Sequence, residues 1–223
     1  VGAVQRVLQP GCKFDTMLVL DGPPGIGKST LLRKLGGEWF DDSLSLADTR
    51  DKTAAEKLQG KWIMEIGEMQ GTRKADIDIV KGFLSRQDDA YRAAYGRVVQ
   101  SHPRTCIICG TTNSTDGFLR DTTGNRRFWP VPVKKGRLSV WEMTEETRAQ
   151  IWAEAMIFVA EGETTYLDYE LEREAARMQL NALEFDEREG EVAEYLDTLL
   201  PADWYSWDLS QRVDYFQQRD VLS

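Results

Sequence analysis

The sequence predicts a layered α/β fold, a sheet flanked by helices, followed by a C-terminal helical appendage. Three observations carry that prediction. Apolar runs of strand length at 17–20, 62–66 and 105–110 alternate with segments of helical spacing. A glycine-rich turn separates the first run from a helix. After Leu138 the strand-like runs stop and charged, helix-prone segments take over.

The elements follow in order. Residues 4–8 predict a short helix. Residues 17–20 predict a buried strand that stops at Asp21-Gly22-Pro23-Pro24-Gly25. Residues 29–35 predict a helix closed by Gly36-Gly37. Residues 51–59 look helical, and 62–66 form a second strand. Ile77, Val80, Phe83 and Leu84 recur at helical spacing, which predicts a helix over 74–85. Residues 90–100 predict a hairpin with Tyr95-Gly96 near its tip. Residues 105–110 give a third strand and 128–133 a fourth, placed at an edge by Pro130 and Pro132. Beyond these, Ile151, Ala155, Phe158 and Val159 predict one helical face; 169–185, 190–199 and 204–216 predict further helices. The expected division is a core over 1–138 and an acidic helical region over 139–223. The chain opens on Val1 and stops at Ser223 without an evident structural end, which suggests a fragment of a longer protein.

Composition narrows the function. A length of 223 residues suggests one large domain, or one with an appendage. The net charge of −9 excludes a uniformly basic nucleic-acid coat protein. The charge is unevenly spread, at −1 over 1–70, +7 over 71–137 and −15 over 138–223. A basic middle inside an acidic chain is a local electrostatic footprint. One histidine, His102, removes most zinc sites and any Ser-His-Asp triad that does not use it. Three cysteines give no disulfide framework, which favours a reducing compartment. No apolar run is long enough to span a membrane.

Gly22-Pro23-Pro24-Gly25-Ile26-Gly27-Lys28-Ser29 matches G-x-x-x-x-G-K-[ST] between strand and helix. Glycines let backbone N–H groups curl around phosphate oxygens, and the helix N-terminus adds partial positive charge. This predicts a nucleotide site over Gly22, Pro23, Pro24, Gly25, Ile26, Gly27, Lys28, Ser29 and Thr30. Lys28 would reach the β- and γ-phosphates of ATP, and the Ser29 hydroxyl would ligate Mg²⁺.

The second strand ends Trp62-Ile63-Met64-Glu65-Ile66-Gly67-Glu68. An acid at the end of an apolar strand suits the Mg²⁺ shell and the activation of water. Glu65 and Glu68 both qualify. Glu68 is favoured as base because it sits just past the strand. Glu65 would be costly in an apolar strand unless it serves the metal or pairs with a cation. The third strand runs into Thr111-Thr112-Asn113, where Asn113 is placed to sense the γ-phosphate. Gly124-Asn125-Arg126-Arg127-Phe128-Trp129-Pro130 offers two arginines. Arg126 or Arg127 would serve as a finger reaching a neighbouring subunit's phosphate. Arg73, Lys74, Lys81, Arg86, Tyr91, Arg92, Tyr95, Arg97 and Arg104 make a basic, partly aromatic stretch suited to single-stranded nucleic acid. The plainer reading is a solvated loop with core tyrosines.

In that order the segments GPPGIGKST, WIMEIGE, SRQDDAYRAAYGR, CGTTNS and GNRRFWPV resemble the virulence-associated protein E family over roughly residues 15–160. The AYGR and GNRRFWPV segments are its most specific parts. The family comprises P-loop proteins of phages, prophages and pathogenicity islands, similar to superfamily 3 helicases. The resemblance implies an AAA+-like P-loop NTPase core, a commonly hexameric ring in the bacterial cytoplasm, and ATP-driven work on single-stranded or forked DNA. It also implies a DNA-gripping hairpin over 86–104, with Arg86, Arg92, Tyr95 and Arg97 as candidates. Two departures matter. The acids are split as Glu-x-x-Glu, and no primase-type acidic motif is visible.

Weaker signals read as structure. Cys106-x-x-Cys109 on a strand points to opposite faces, which favours packing over metal. His102 reads as a loop residue. Trp39, Trp129, Trp141 and Trp152 read as core. The leading expectation is therefore a DNA helicase motor. Its rivals are a monomeric P-loop kinase, with a lid arginine acting on its own site, and a regulatory ATP-binding module.

Overall fold

The computed structural model describes residues 1–50, 52–67, 69, 74–91, 98–113, 117–119, 125–136, 138–183, 201 and 203–217. The chain divides into two compact units, Val1–Glu184 and Phe185–Ser223.

In the first unit the elements run α1 (Gly2–Leu8), β1 (Met17–Asp21), α2 (Lys28–Gly36), β2 (Phe40–Asp41), α3 (Lys52–Lys57), β3 (Ile63–Ile66) and α4 (Lys74–Leu84). Then follow β4 (Asp88–Tyr91), β5 (Gln100–Pro103), β6 (Ile107–Thr112), β7 (Phe128–Pro132), α5 (Glu145–Ala160) and α6 (Tyr169–Asn181). Five strands form one sheet in the order β2-β3-β6-β1-β7, and every pairing is parallel. The expected α/β layering is therefore present, with β6 inserted between β1 and β3. Their apolar composition suits burial on both faces, as parallel strands require.

Side-chain alternation divides the core between the two faces. Met17, Val19, Met64, Ile66 and Ile108 point to one side and meet Ile77, Val80 and Phe83 of α4. Leu20, Ile63 and Cys109 point to the other and meet Leu32 of α2 and Phe40. Cys106 belongs to the first cluster and Cys109 to the second, so the two thiols are on opposite faces. Burial pushes the Cys106 thiol up to about 11 and Cys109 to about 12. Among the described residues no group of acids, cysteines and histidine has the arrangement to hold a metal by itself. No helix among them is long and apolar enough to cross a membrane.

The edge position expected for 128–133 is observed, since β7 pairs with β1 alone. Pro130 and Pro132 lack an N–H, and an open edge is where that loss is cheapest. The two-residue β2 has no sequence signature of its own.

Residues 139–184, expected with the acidic tail, belong to the sheet unit. On α5 the half-buried positions are Arg148, Trp152, Ala155 and Val159, while Ile151 and Phe158 are exposed. The helix turns its indole inward because Trp152 Nε1 donates to Leu35 O at 3.0 Å and its ring packs 4.2 Å from Trp62. Trp62 Nε1 in turn donates to Ala3 O at 2.8 Å, so α1, α2 and α5 are joined through two indoles. On α6, Gln179 Nε2 donates to Phe128 O at 2.9 Å, and Ala182 O accepts from the Phe118 and Leu119 amides. Trp39 and Trp141, expected in the core, are exposed.

The predicted hairpin is a separate antiparallel pair, with rungs from Asp88↔Pro103 to Tyr91↔Gln100. Its tip, with Arg92, Tyr95 and Arg97, lies outside the described residues. Its base is fixed by Arg104, which is buried. Nε and Nη2 donate to the two Asp89 oxygens at 2.7 and 2.5 Å, and Nη1 donates to Phe83 O at 2.9 Å. One guanidinium thus ties the end of α4 to the first hairpin strand. His102 is on β5, not in a loop, and stacks 4.3 Å from the buried Tyr91 ring.

In the second unit a turn at Trp204–Ser206 precedes α7 (Leu209–Gln217). The helix expected over 204–216 starts late because Asp208 caps it. Asp208 Oδ1 accepts from the Gln211 amide and Gln211 Oε1 accepts from the Asp208 amide, both at 2.9 Å. The Trp204, Trp207 and Tyr215 rings lie 5.5–5.6 Å apart. The predicted helix over 190–199 lies outside the described residues.

Candidate nucleotide site

β1 delivers its chain directly into the glycine turn, and α2 begins at Lys28. Gly25 and Gly27 carry φ values of +73° and +96°, which only glycine adopts without strain. The loop therefore turns sharply between strand and helix, leaving the first amides of α2 without helical partners. These residues line a cleft of about 830 Å³ that also contains Glu65, Asn113 and the loop from Asp42 to Ala47.

The sheet order brings the polar ends together. β6 lies between the strands that carry the loop and the acid, so Asn113 emerges between Lys28 and Glu65. Lys28 Nζ donates to Asn113 Oδ1 at 2.7 Å and to the carbonyls of Gly22 and Pro23 at 2.6 and 2.8 Å. Burial lowers the Lys28 pKa, opposed by Asp21 and Glu65. Asp21 shifts up, again through burial, with Lys28 opposing.

Glu65 is buried in β3. Its Oε1 accepts from Ser29 Oγ at 2.6 Å and from Thr111 Oγ1 at 2.7 Å. Its Oε2 is buried with no hydrogen-bond partner among the described residues. A carboxylate oxygen left in that state is costly. The hard-oxygen donor set of Ser29 and Glu65 fits Mg²⁺, whose binding would satisfy the orphaned oxygen. For Glu65, the ion-pair alternative finds no support among the described residues. Its neighbours are hydroxyls, and no described cation pairs with it within salt-bridge distance. Glu68 lies outside the described residues.

Sequence reasoning missed Thr111, which holds the Glu65 carboxylate, and Asp21, whose charge acts on Lys28. Thr111 was visible as part of Thr111-Thr112-Asn113, but its partner follows only from the register that pairs Ile66 with Gly110. It also missed Trp141, which lines the cleft.

Arg126 and Arg127 lie elsewhere. Phe128 pairs with Met17 at the amino end of β1, whereas the phosphate loop follows Asp21 at the carboxyl end. Five strand residues separate the two ends by roughly 15 Å. Arg127 Nε donates to Ser85 Oγ at 3.0 Å and is 3.8 Å from Asp15. Arg126 is exposed, with no ion pair among the described residues. The hairpin is also at this amino end, because its second strand feeds β6 from below.

The basic stretch is not a uniform surface. Arg104, Lys81 and Tyr91 are buried, Arg104 against Asp89 and Lys81 against Asp78. The plainer reading holds for Tyr91 as a core tyrosine, whereas Arg104 and Lys81 are buried, not solvated. Arg86 is exposed, its guanidinium 5.3 Å from the Phe83 ring centroid.

No curated protein matches the chain significantly. Two solved structures of the apo C-terminal region of NrS-1 are similar to it. One, described as residues 305–718, has a TM-score of 0.47 at 16% identity and covers 81% of this chain and 46% of that one. The other has a TM-score of 0.44 at 16% identity and covers 88% and 45%. The chain spans less than half the length of these structures. The model of the virulence-associated protein E-like domain matches residues 1–184, the whole of the sheet unit, and the chain belongs to that family.

Proposed function

We propose that this chain is the ATP-hydrolysing motor domain of a DNA helicase or translocase, an AAA+-like P-loop ATPase of a phage or mobile element in the bacterial cytoplasm. The observation that carries the reading is the convergence of Lys28, Ser29, Glu65 and Asn113 on one cleft from two adjacent strands, β3 and β6, and the helix after the loop. Polar groups from three separate segments, Lys28-Ser29, Glu65 and Asn113, that meet at one glycine turn support a phosphate site over a surface patch.

The amides at the start of α2 would hold phosphate oxygens, and Lys28 would exchange its loop carbonyls for them. Ser29 and Glu65 would hold Mg²⁺, which neutralises phosphate charge. Ser29 and Thr111 fix Glu65 Oε1 and leave Oε2 for the ion. Glu68 is the base: it takes a proton from water as the water oxygen bonds to the γ-phosphorus and the bond to the bridging oxygen breaks. Asn113, hydrogen-bonded to Lys28, orients the γ-phosphate.

Arg126 is the finger, working on a neighbour's phosphate. Its distance from its own loop supports action between subunits, in a homo-oligomeric ring such as a hexamer. The same distance counts against a kinase whose lid arginine serves its own site. Arg127, already held by Ser85 and Asp15, supports the end of α4. The hairpin of Arg86, Arg92, Tyr95 and Arg97 grips single-stranded DNA.

The test is ATP turnover at low salt, with and without single-stranded DNA, across protein concentration. A motor with shared sites gives turnover that rises with both. Turnover indifferent to both, in a chain that binds ATP, refutes the shared-site DNA motor.

A further inference from the structure

The cleft with Ser29 and Glu65 has a counterpart on the other side of the phosphate loop. This second cavity measures about 860 Å³. Its walls combine apolar Leu20, Ile26, Leu31 and Val133 with charged Lys134 and Glu142. Residues Pro24, Gly25, Gly27 and Lys28 line both spaces, so the loop is their shared wall. Trp141 also lines both.

Trp141 is held there by design of the fold. It belongs to a short turn, Val140–Glu142, and its ring rests on Gly27 so closely that a Cβ at Gly27 would run into it. Lys34 Nζ, on the helix that starts at the phosphate loop, donates to Trp141 O at 2.7 Å and to Met143 O at 2.8 Å. The indole is nevertheless 56% exposed, so its packing in the protein is incomplete. A large ring fixed beside the loop, with free apolar surface, is a stacking platform. A nucleoside triphosphate needs a polar, amide-rich space for its phosphates and an adjoining apolar slot for its base. The two cavities supply these in contact.

We infer that Trp141 is the stacking platform for the purine base of the nucleotide, with the second cavity beyond the loop as the base slot. The inference rests on the proposed phosphate site. It adds a residue that lies outside the glycine-loop motif.

The experiment compares two probes by equilibrium binding to the whole chain with Mg²⁺ present: ATP, and inorganic tripolyphosphate, which lacks base and sugar. Trp141→Ala lowers ATP affinity about tenfold or more, on the scale of base–aromatic stacking, and changes tripolyphosphate affinity by less than about twofold. Trp141→Phe keeps most of the ATP affinity. Thermal melting of each variant shows that the fold survives, as the exposure of Trp141 implies. Equal losses for both probes, or no loss for ATP, overturn the platform while the phosphate site stands. If the wild-type chain binds neither probe, and Lys28→Ala changes nothing, the phosphate-site reading fails and the platform with it.

Discussion

Replacing Arg104 by Met tests how the hairpin is attached to the sheet unit. The guanidinium and the Asp89 carboxylate have side-chain exposures of 2% and 5%, so both charges are withdrawn from water. Two short hydrogen bonds join them and a third reaches Phe83 O. Methionine fills similar volume but leaves Asp89 charged, buried and unpaired. Breaking such a pair from one side costs about 3–5 kcal/mol, a large share of a typical total of about 5–15 kcal/mol. The double variant Arg104→Met/Asp89→Leu removes both charges and returns to within about 2 kcal/mol of wild type. Urea unfolding followed by circular dichroism measures both, and native-state hydrogen exchange of the Tyr91 and Gln100 amides reads the hairpin locally. A single variant that costs less than about 1 kcal/mol would show that water reaches the pair. A double variant no better than the single would show that the loss is packing, not charge.

Two further outcomes follow from titration. Asp48 closes the loop that lines the phosphate cleft. Burial raises its pKa, but hydrogen bonds from Lys57 and Ser45 outweigh this and bring it from 3.8 down to about 2. A depressed folded pKa means that the contribution is full above the unfolded value and is lost as pH falls from about 4 towards 2. Asp48→Asn should flatten that part of the stability profile by up to about 1 kcal/mol; an unchanged profile would remove the pair from the account. Among the thiols, Cys106 and Cys109 are buried with raised pKa values, whereas Cys12 is half-buried. A thiol reagent at pH 8 should therefore titrate one cysteine in the native chain and three after unfolding; three fast thiols without denaturant would contradict the two-faced core.

The features legible in the sequence are those whose physics is local. The glycine turn is contiguous, and its flanking strand and helix announce themselves by apolar composition and by the cap after Leu35. The edge strand was legible because two prolines leave few other places for it. Arg104 was not legible. It reads as one more cation in a basic stretch until Asp89, fifteen residues earlier, is brought beside it by an antiparallel register. The inward face of α5 was misread for a similar reason. Periodicity alone favours Ile151 and Phe158 as the inward face of α5, and only the Leu35 carbonyl and the Trp62 ring turn the helix the other way. The extent of the sheet unit was missed because α6 docks mainly at its C-terminal end, through the Gln179 amide, backbone bonds at Ala182 and the apolar Ala182 and Leu183, too short a patch to stand out in the sequence. The convergence of Lys28, Asn113 and Glu65 was half visible: the residue types were evident, but their adjacency depends on β6 entering between β1 and β3.

That strand order has a consequence for how the protein can change over time. All five strands run the same way, so the glycine turn and Asn113 lie at their carboxyl ends, and the hairpin and the arginine pair at their amino ends. A layer of buried Met, Val and Ile lies between them. Arg104 holds the hairpin's base through Asp89 and the Phe83 carbonyl, on the far side of that layer from the glycine turn. Sequences at the two ends are thus free to diverge separately. Grafting the segment between Tyr91 and Gln100 from one relative to another becomes a modular exchange that leaves the nucleotide end intact.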